Sequence, residues 1–405
     1  MTDAGPPGQG NNRLLLPERV AAQLSPARSA AVAARVGIAL GIAVSVCFLT
    51  GLLSHWIQHP PTWFAWPSRP VWLYRVTQGT HVISGVAAIP LLLVKLWSVY
   101  PRLFARPLLG SPLRLLERGS IAVLVGSVIF QLATGLLNIA QWYAWKFFFT
   151  TTHYTMAYIA IGALAIHLAV KLPTVRSALT RSVPHAPPDP GQQPVVPPPT
   201  DDELVARQGI SRRAVVGAAG LAATVAGLAV AGQTVPFLRG IAVLAPRSGR
   251  GPQGLPVNRT ASNAGVGALA RDPAYRLRVS VGGRERTFDL GELRALPQSE
   301  AVLPIACVEG WSASAHWGGV RLRDLLAAVG EYHGGSAHFT SLETGGLYRE
   351  SLLPRPHIED PATLIALRLN GEQLDLDHGY PCRLIAPSRP GVLQTKWLAR
   401  IEVRQ

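Results

Sequence analysis

Cysteine is scarce in this chain, with three residues in 405. There is no CxxC pair and no Cys/His cluster, which excludes zinc-finger and zinc-ribbon chemistry. Acidic residues are also few, 23 against 38 Lys and Arg, and the formal charge is +15. Such a balance points to nucleic acid only when it lies on one soluble face. Here many basic residues flank apolar runs, so nucleic acid is excluded as a partner and membrane lipid is expected in its place.

A chain of this length has room for two or three domains, and its composition is split. The first half is strongly apolar and aromatic, whereas the last third reads as an ordinary soluble domain. Five stretches reach the roughly 20 apolar residues needed to cross a bilayer as a helix. They are Ala30 to Leu53, Val76 to Trp97, Ile121 to Ile139, Tyr154 to Lys171 and Ala214 to Val235. Arg13, Arg19, Arg28 and Arg35 precede or open the first span. Lys95, Arg102, Arg106, Arg114 and Arg118 lie between the second and third, and Lys171, Arg176, Arg181, Arg207, Arg212 and Arg213 between the fourth and fifth. The other two loops hold only Arg69, Arg75 and Lys146, with Trp56, Trp63, Trp66, Trp72, Trp142, Tyr143 and Trp145 near them. The positive-inside rule puts the N-terminus in the cytoplasm and the C-terminal domain outside, in a multi-pass protein of the cell membrane.

Between the fourth and fifth spans, Pro184 to Thr200 is a proline-rich linker that cannot pack a core. The fifth span opens SRRAVVGAAGLAATVAG, which resembles a twin-arginine export signal. The alternative reading is two ordinary positive-inside arginines. No small-residue cleavage site stands out, so the segment is expected to remain as an anchor. The expected boundaries are a cytoplasmic tail over 1–29, a four-span membrane domain over 30–172 and a linker over 173–210. A fifth span over 211–238, a second linker over 239–270 and a C-terminal domain over 271–405 follow.

Histidine inside a membrane span is rare and usually functional. His81 lies about one turn into the second span, and His153 and His167 lie on the fourth. The 14-residue spacing of His153 and His167 returns to one helix face about 21 Å further along the axis. The second and fourth spans run the same way, so His81 and His153 share the outer level and can ligate one haem from opposite sides. The unit resembles bacterial b-type cytochromes of the four-helix kind, which carry such a pair on the fourth helix. That resemblance implies haem b and exchange with a quinone pool. The inner partner that the family would place at the start of the first span is missing; His55 lies at the outer end. Either one outer haem is bound, or His167 holds a second with an unusual partner.

In the last third, short strands and glycine turns take over: YRLRVSVGG, RTFDL, AVLPIACV, HFTSLE, TLIALRLNG, CRLIAP and WLARIEV. One helix is expected at about Arg321 to Val329. Cys307 ends the apolar run Ala301 to Ala306, and Gly310, Gly318 and Gly319 follow it. A lone thiolate at a strand end suits a soft metal or a nucleophile. The segments CVEGW, NGEQL, HGYPCR and the Lys396-Trp397 pair together resemble the sulfite-oxidase-type molybdopterin family over roughly residues 255–405. The resemblance is closer to its branch of periplasmic methionine sulfoxide reductase catalytic subunits.

The resemblance implies a mostly β domain carrying molybdenum-molybdopterin, with Cys307 as the metal's thiolate ligand. His378, Arg383 and Lys396 match cofactor-contacting positions in order and spacing, and Asn258 and Arg259 match an early cofactor-contact segment. Arg389 would face either the cofactor or the substrate. Cys382 raises a disulfide with Cys307 as the alternative to a metal-bound thiolate. Cys47, in mid-span, reads as a small packing residue. The family's sulfite oxidases place an arginine shortly after the ligating cysteine; here Trp311 and Ser312 follow instead. Trp311 and Trp317 would then wall an apolar pocket suited to a sulfoxide, with Glu309 either a proton donor or solvent-facing.

The expected protein is an α plus mostly β membrane enzyme. A four-helix cytochrome-b-like bundle and a further anchor precede an extracytoplasmic sulfite-oxidase-like domain. The expected activity is oxygen-atom transfer, such as reduction of a small or protein-bound sulfoxide, coupled to a quinone-linked haem. The alternatives are an oxidase of a small sulfur or nitrogen compound, or a metal-free binding module.

Overall fold

The computed structural model describes residues 28–103, 112–180, 211–245 and 251–404. The N-terminal tail before residue 28 and the proline-rich Pro184 to Thr200 segment lie outside the described residues. Five long helices come first: α1 (Ala30–Gln58), α2 (Leu73–Leu103), α3 (Pro112–Ile139), α4 (Phe149–Thr180) and α5 (Arg212–Ala231). All five are long and apolar enough to cross a membrane. Apolar residues lie on their outward faces as well, Ile42, Leu49, Leu93, Val123, Ile166 and Leu221 among them. A helix that is apolar all round has lipid or protein as its natural solvent. The first four helices extend past the apolar runs that mark them in the sequence, because charged residues at a span end can reach the interface, whereas α5 ends at Ala231, short of Val235. Arg212 and Arg213 are the first two residues of α5.

The described chain divides into two compact units. The first gathers described residues of Met1–Ile42, Ala87–Val125 and Gly162–Thr224. Within it the Lys95 ammonium donates to the Ala33 carbonyl at 2.8 Å, passing over Gly37, where a Cβ would sit 2.9 Å from that nitrogen. His167 belongs to this unit and is half-buried.

The second unit gathers Ala43–Val86, Gly126–Ile161 and Val225–Gln405. Its C-terminal part holds two five-stranded sheets. One runs β2 (Arg284–Phe288), β1 (Leu277–Val281), β10 (Leu398–Arg404), β5 (Ser336–Ser341), β6 (Glu350–Leu353). Only β1 and β10 pair in parallel there. The other runs β3 (Gln298–Ala306), β4 (Ser312–Arg321), β7 (Leu364–Leu369), β8 (Glu372–Gln373), with β9 (Arg383–Ile385) also on β7. Alternation builds the first core: in LRVSV, Leu277, Val279 and Val281 point in and the residues between do not. They pack with Phe288, Phe339 and Ile401, and each such side chain contributes about 1.5–3 kcal/mol by leaving water.

The structure adds elements that the sequence patterns do not single out. SASAHWGGVR is a ten-residue strand, β4, although it lacks the β-branched runs that mark the others. It forms because β3 and β7 flank it, and because Gly319 has no side chain. A Cβ there would fall 2.1 Å from the Ile365 carbonyl oxygen, at a bulge in the β4–β7 register. The helix after it is shorter than expected, Leu322–Ala327. A further helix, Leu290–Ala295, starts at a capping box in which Asp289 and Glu292 bond each other's backbone amides.

Candidate functional site

Two clusters of chemistry-bearing residues form within the second unit. The first surrounds Cys307, the residue after β3. The Cys307 amide donates to the Trp311 carbonyl at 2.8 Å, and Gly310 donates back to the Cys307 carbonyl at 3.0 Å. This closes the β3–β4 turn, and Gly310 sits at φ +90°, where a side chain would be strained. Cys307 is 1% exposed. Tyr74, at the start of α2, packs with Ile57 and with Ala306 next to Cys307. From the other side comes Tyr348, whose phenol pKa is raised by burial and then by the neighbouring Cys307. Its hydroxyl donates to Gln58 at 3.4 Å.

Lys396 draws the expected cofactor-contact residues together. Its ammonium donates to Asn258 Oδ1 at 3.2 Å, to the Arg259 carbonyl at 2.5 Å and to the Asp377 carbonyl at 3.0 Å. Next to Asp377, His378 Nε2 lies 2.7 Å from the Pro252 carbonyl. A carbonyl can only accept, so Nε2 carries the proton and Nδ1 keeps its lone pair. Arg383 is fully buried and donates to the carbonyls of His378 and Gln394 at 3.0 and 3.1 Å. Gly379 lies between these side chains; a Cβ there would be 3.1 Å from both Arg383 and Lys396.

The electrostatics of this cluster are lopsided. Burial pulls Arg383 down to about 9. Burial, then repulsion from Arg383, pulls Lys396 down to about 7. Burial also outweighs the Pro252 hydrogen bond and brings His378 to about 4. Asp377 and Glu343 oppose the shift of Lys396, and Asp375 that of His378, but only partly; Glu343 also pairs with Arg259 at 3.0 Å and is itself raised by burial. Buried cations in excess of buried anions cost solvation energy, and an anionic ligand recovers it. The donor set therefore fits a phosphate-bearing pterin beside a buried thiol. Arg389 is also buried, with a nitrogen donating to the Leu352 carbonyl at 2.8 Å.

Two alternatives left open by the sequence are decided here, and one expectation changes. None of the three cysteines is in a disulfide, and Cys307 and Cys382 lie in separate core clusters. Cys382 contacts the Tyr275 hydroxyl at 3.2 Å, and burial pushes its thiol up to about 12. The aromatic-walled pocket does not form. Trp317 is wholly buried opposite Ala301, its indole donating to the Leu303 carbonyl, and Trp311 is buried with its indole on Glu309 at 3.0 Å. Glu309 is buried rather than solvent-facing, since it also accepts from Gln141.

The second cluster is the histidine pair. The rings of His81 and His153 lie 6.4 Å apart between centroids, at 73° to each other. A metal bound between two imidazoles at about 2 Å from each nitrogen puts the ring centres roughly 6 Å apart. His81 Nδ1 lies 2.8 Å from the Cys47 carbonyl, so Nδ1 is the protonated nitrogen and Nε2 is left for a metal. His153 Nδ1 lies 3.1 Å from the Thr134 hydroxyl, whose own proton goes to the Phe130 carbonyl at 2.7 Å. His153 therefore has the same tautomer. Space is kept by glycine: a Cβ on Gly51 would be 2.9 Å from the His81 ring, and one on Gly135 3.7 Å from the His153 ring. The pair fits an axial haem ligand set. His55 stacks on Tyr154 at 3.6 Å instead.

Cys47, Thr134, Gly51, Tyr74 and Tyr348 were not among the candidate site residues of the sequence. Thr134 did leave a signal, since it is polar within an apolar span. Cys47 read as a packing residue, yet its carbonyl and its thiol both contact His81.

Residues 265–405 match the family model of the oxidoreductase molybdopterin binding domain. The chain is 30% identical over 161 residues to mitochondrial sulfite oxidase of Mus musculus, covering 33% of this chain and 30% of that protein. It is 33% identical over 159 residues to sulfite oxidase of Gallus gallus, covering 32% and 35%. It is 30% identical over 131 residues to an Azospira oryzae protein named "Putative protein-methionine-sulfoxide reductase subunit YedZ1", covering 32% and 49%. The chain thus spans half or less of the curated relatives it matches. A solved structure of the sulfane dehydrogenase SoxCD from Paracoccus pantotrophus aligns at 22% identity and a TM-score of 0.30, covering 32% of this chain and 38% of that one.

Proposed function

We propose that this chain, whose residues 265–405 form an oxidoreductase domain of the molybdopterin type, is a membrane-anchored enzyme that reduces an oxygen-bearing acceptor such as a sulfoxide. His81 and His153 would hold a haem b, which would supply electron transfer from a quinol. The observation that carries the reading is the coexistence, in one compact unit, of a buried cysteine outside any disulfide beside a cation-rich cluster and a metal-spaced imidazole pair. The sulfoxide is favoured by the relative named as a methionine-sulfoxide reductase subunit.

Each residue has a role in this reading. Cys307 is the thiolate ligand of molybdenum. Arg383, Lys396, Arg259, Asn258 and His378 hold the anionic pterin, the cations by charge and His378 by its free Nδ1. The metal, when bound, supplies two-electron oxygen-atom chemistry. The overall change takes X=O, two electrons and two protons to X and water, with the quinol supplying electrons and protons. Tyr74 and Tyr348 flank Cys307 and can hold or pass a proton beside it. His167, in the other unit, is the candidate ligand of a second haem.

The C-terminal domain works outside the cytoplasm, and the Arg212–Arg213 pair starts its export. A reporter fused at Gln405 should be active outside, and Arg212→Lys with Arg213→Lys should trap it inside with four spans inserted. Normal export of that double variant would remove the twin-arginine reading, since positive charge is unchanged.

The matches to sulfite oxidases favour, as second reading, the same domain run as an oxidase that passes electrons to the membrane. Metal and haem analysis of membrane-purified protein, then a screen of sulfoxides, N-oxides and sulfite, tests both. Molybdenum, haem b and sulfoxide turnover support the first reading; sulfite consumption alone supports the second. A protein with neither cofactor overturns both.

A further inference from the structure

The turn that carries Cys307 rests on the two helix segments that serve the histidine pair. The Val308 carbonyl accepts two amide hydrogen bonds, from Gln78 Nε2 at 3.3 Å and from Asn138 Nδ2 at 3.3 Å. Gln78 lies three residues before His81 on α2, about 4.5 Å of helix rise. Asn138 lies four residues after Thr134 on α3, about 6 Å of rise, and Thr134 holds His153. Both separations keep the two residues on one helix face. The next residue of the turn, Glu309, accepts from Gln141, two residues past the end of α3. Gly310 then sits so close to the helices that a Cβ there would be 2.9 Å from Val82 and 3.6 Å from Ile139.

The contact continues around the turn. Arg75 donates to Ser314 at 3.1 Å, and Trp66 donates to the Ser388 carbonyl at 2.7 Å. Arg69 makes a two-pronged pair with Asp360, 2.9 Å in each prong. Asp360 is buried beneath it, with 3% of its side chain exposed. Opening this contact would leave the buried Asp360 carboxylate and the Val308 carbonyl without these donors, which costs more than the bonds themselves contribute.

We propose that Gln78 and Asn138 are positioning residues that keep the Cys307 turn seated throughout the reaction on α2, which bears His81, and on α3, whose Thr134 holds His153. The C-terminal domain then works as a fixed module and not as one that swings to meet its electron donor. This rests on the function proposed above, but its first readout does not need either cofactor. Two donors share one acceptor, so either alone suffices.

The test uses the full chain in detergent or nanodiscs with Gln78→Leu, Asn138→Leu and the double variant. In amide hydrogen exchange, residues 307–311 should stay protected in each single variant and lose at least tenfold protection in the double. In cofactor-loaded protein, the ratio of quinol-driven to artificial-donor-driven turnover should fall less than threefold in the singles and more than tenfold in the double. In the wild type, quinol-driven turnover should not change as sucrose raises the viscosity. Double-variant effects equal to the product of the singles, unchanged protection of the turn, or a rate that falls with viscosity would each overturn the proposal. A chain lacking both cofactors would refute the proposed function and leave the exchange readout to decide this one.

Discussion

His81 and His153 face one another with ring centroids 6.4 Å apart, each with Nδ1 bound to an oxygen acceptor and Nε2 left over. The arrangement needs three things at once: two helices at one depth, an acceptor behind each ring and small residues beside them. A pair of polar helix-end residues would need none of these.

The first prediction follows from that pair. His81→Ala and His153→Ala should each abolish the low-spin haem absorbance of the purified protein. An artificial soluble reductant should still drive the C-terminal domain. His167→Ala should keep the signal of this pair and remove, at most, a second haem. Loss of all haem in His167→Ala, with His81→Ala intact, would contradict the assignment.

Cys307→Ser should lower acceptor turnover at least a thousandfold and change the molybdenum electron paramagnetic resonance signal. The haem spectrum should survive, because the ligands proposed for it, His81 and His153, lie on α2 and α4. A thiolate is a soft ligand that a hydroxyl does not replace.

A pH prediction comes from His357, which is wholly buried with both ring nitrogens unpaired. Burial, then the neighbouring Arg389, hold its pKa down to about 3. The unfolded chain binds a proton on this ring below about 6.5, and the folded chain does not until about 3. Stability is therefore full above pH 6.5 and declines as pH falls through that window. Thermal unfolding of the C-terminal domain should show this slope, and His357→Phe should flatten it.

Gly319→Ala should destabilise the C-terminal domain by roughly 1–3 kcal/mol, the usual cost of forcing extra volume into a packed site. Its Cβ has no room beside the Ile365 carbonyl. Urea titration checks this, with Gly371→Ala as a contrast: Gly371 sits at φ +87° with open space around it, so any loss there is backbone strain alone.

Much of this architecture was legible in the residues. The apolar runs mark the five helices, and the shared level of His81 and His153 follows from counting residues along spans expected to alternate in direction. Cys307 stands at a strand end in the sequence and in the structure. What was not legible depends on partners distant in sequence. β4 is strand because two strands flank it, while its own composition of Ser, Ala and Gly argues for a turn. Trp317 sits in a β-strand whose facing side is core, so its ring fills the interior instead of walling a pocket. Gln78 and Asn138 are polar within spans, a visible signal, but their shared acceptor, the Val308 carbonyl, is backbone and carries no mark in the sequence.

The central claim, that one chain couples an imidazole-held haem to a thiolate-held molybdenum site, is tested most directly by one optical measurement. The purified full chain is reduced with a quinol analogue, the excess removed, and a small sulfoxide added while haem absorbance is followed. The account predicts rapid haem re-oxidation in the wild type and none in Cys307→Ser. Re-oxidation at the same rate in both proteins, or a wild-type chain with no haem to follow, would contradict it.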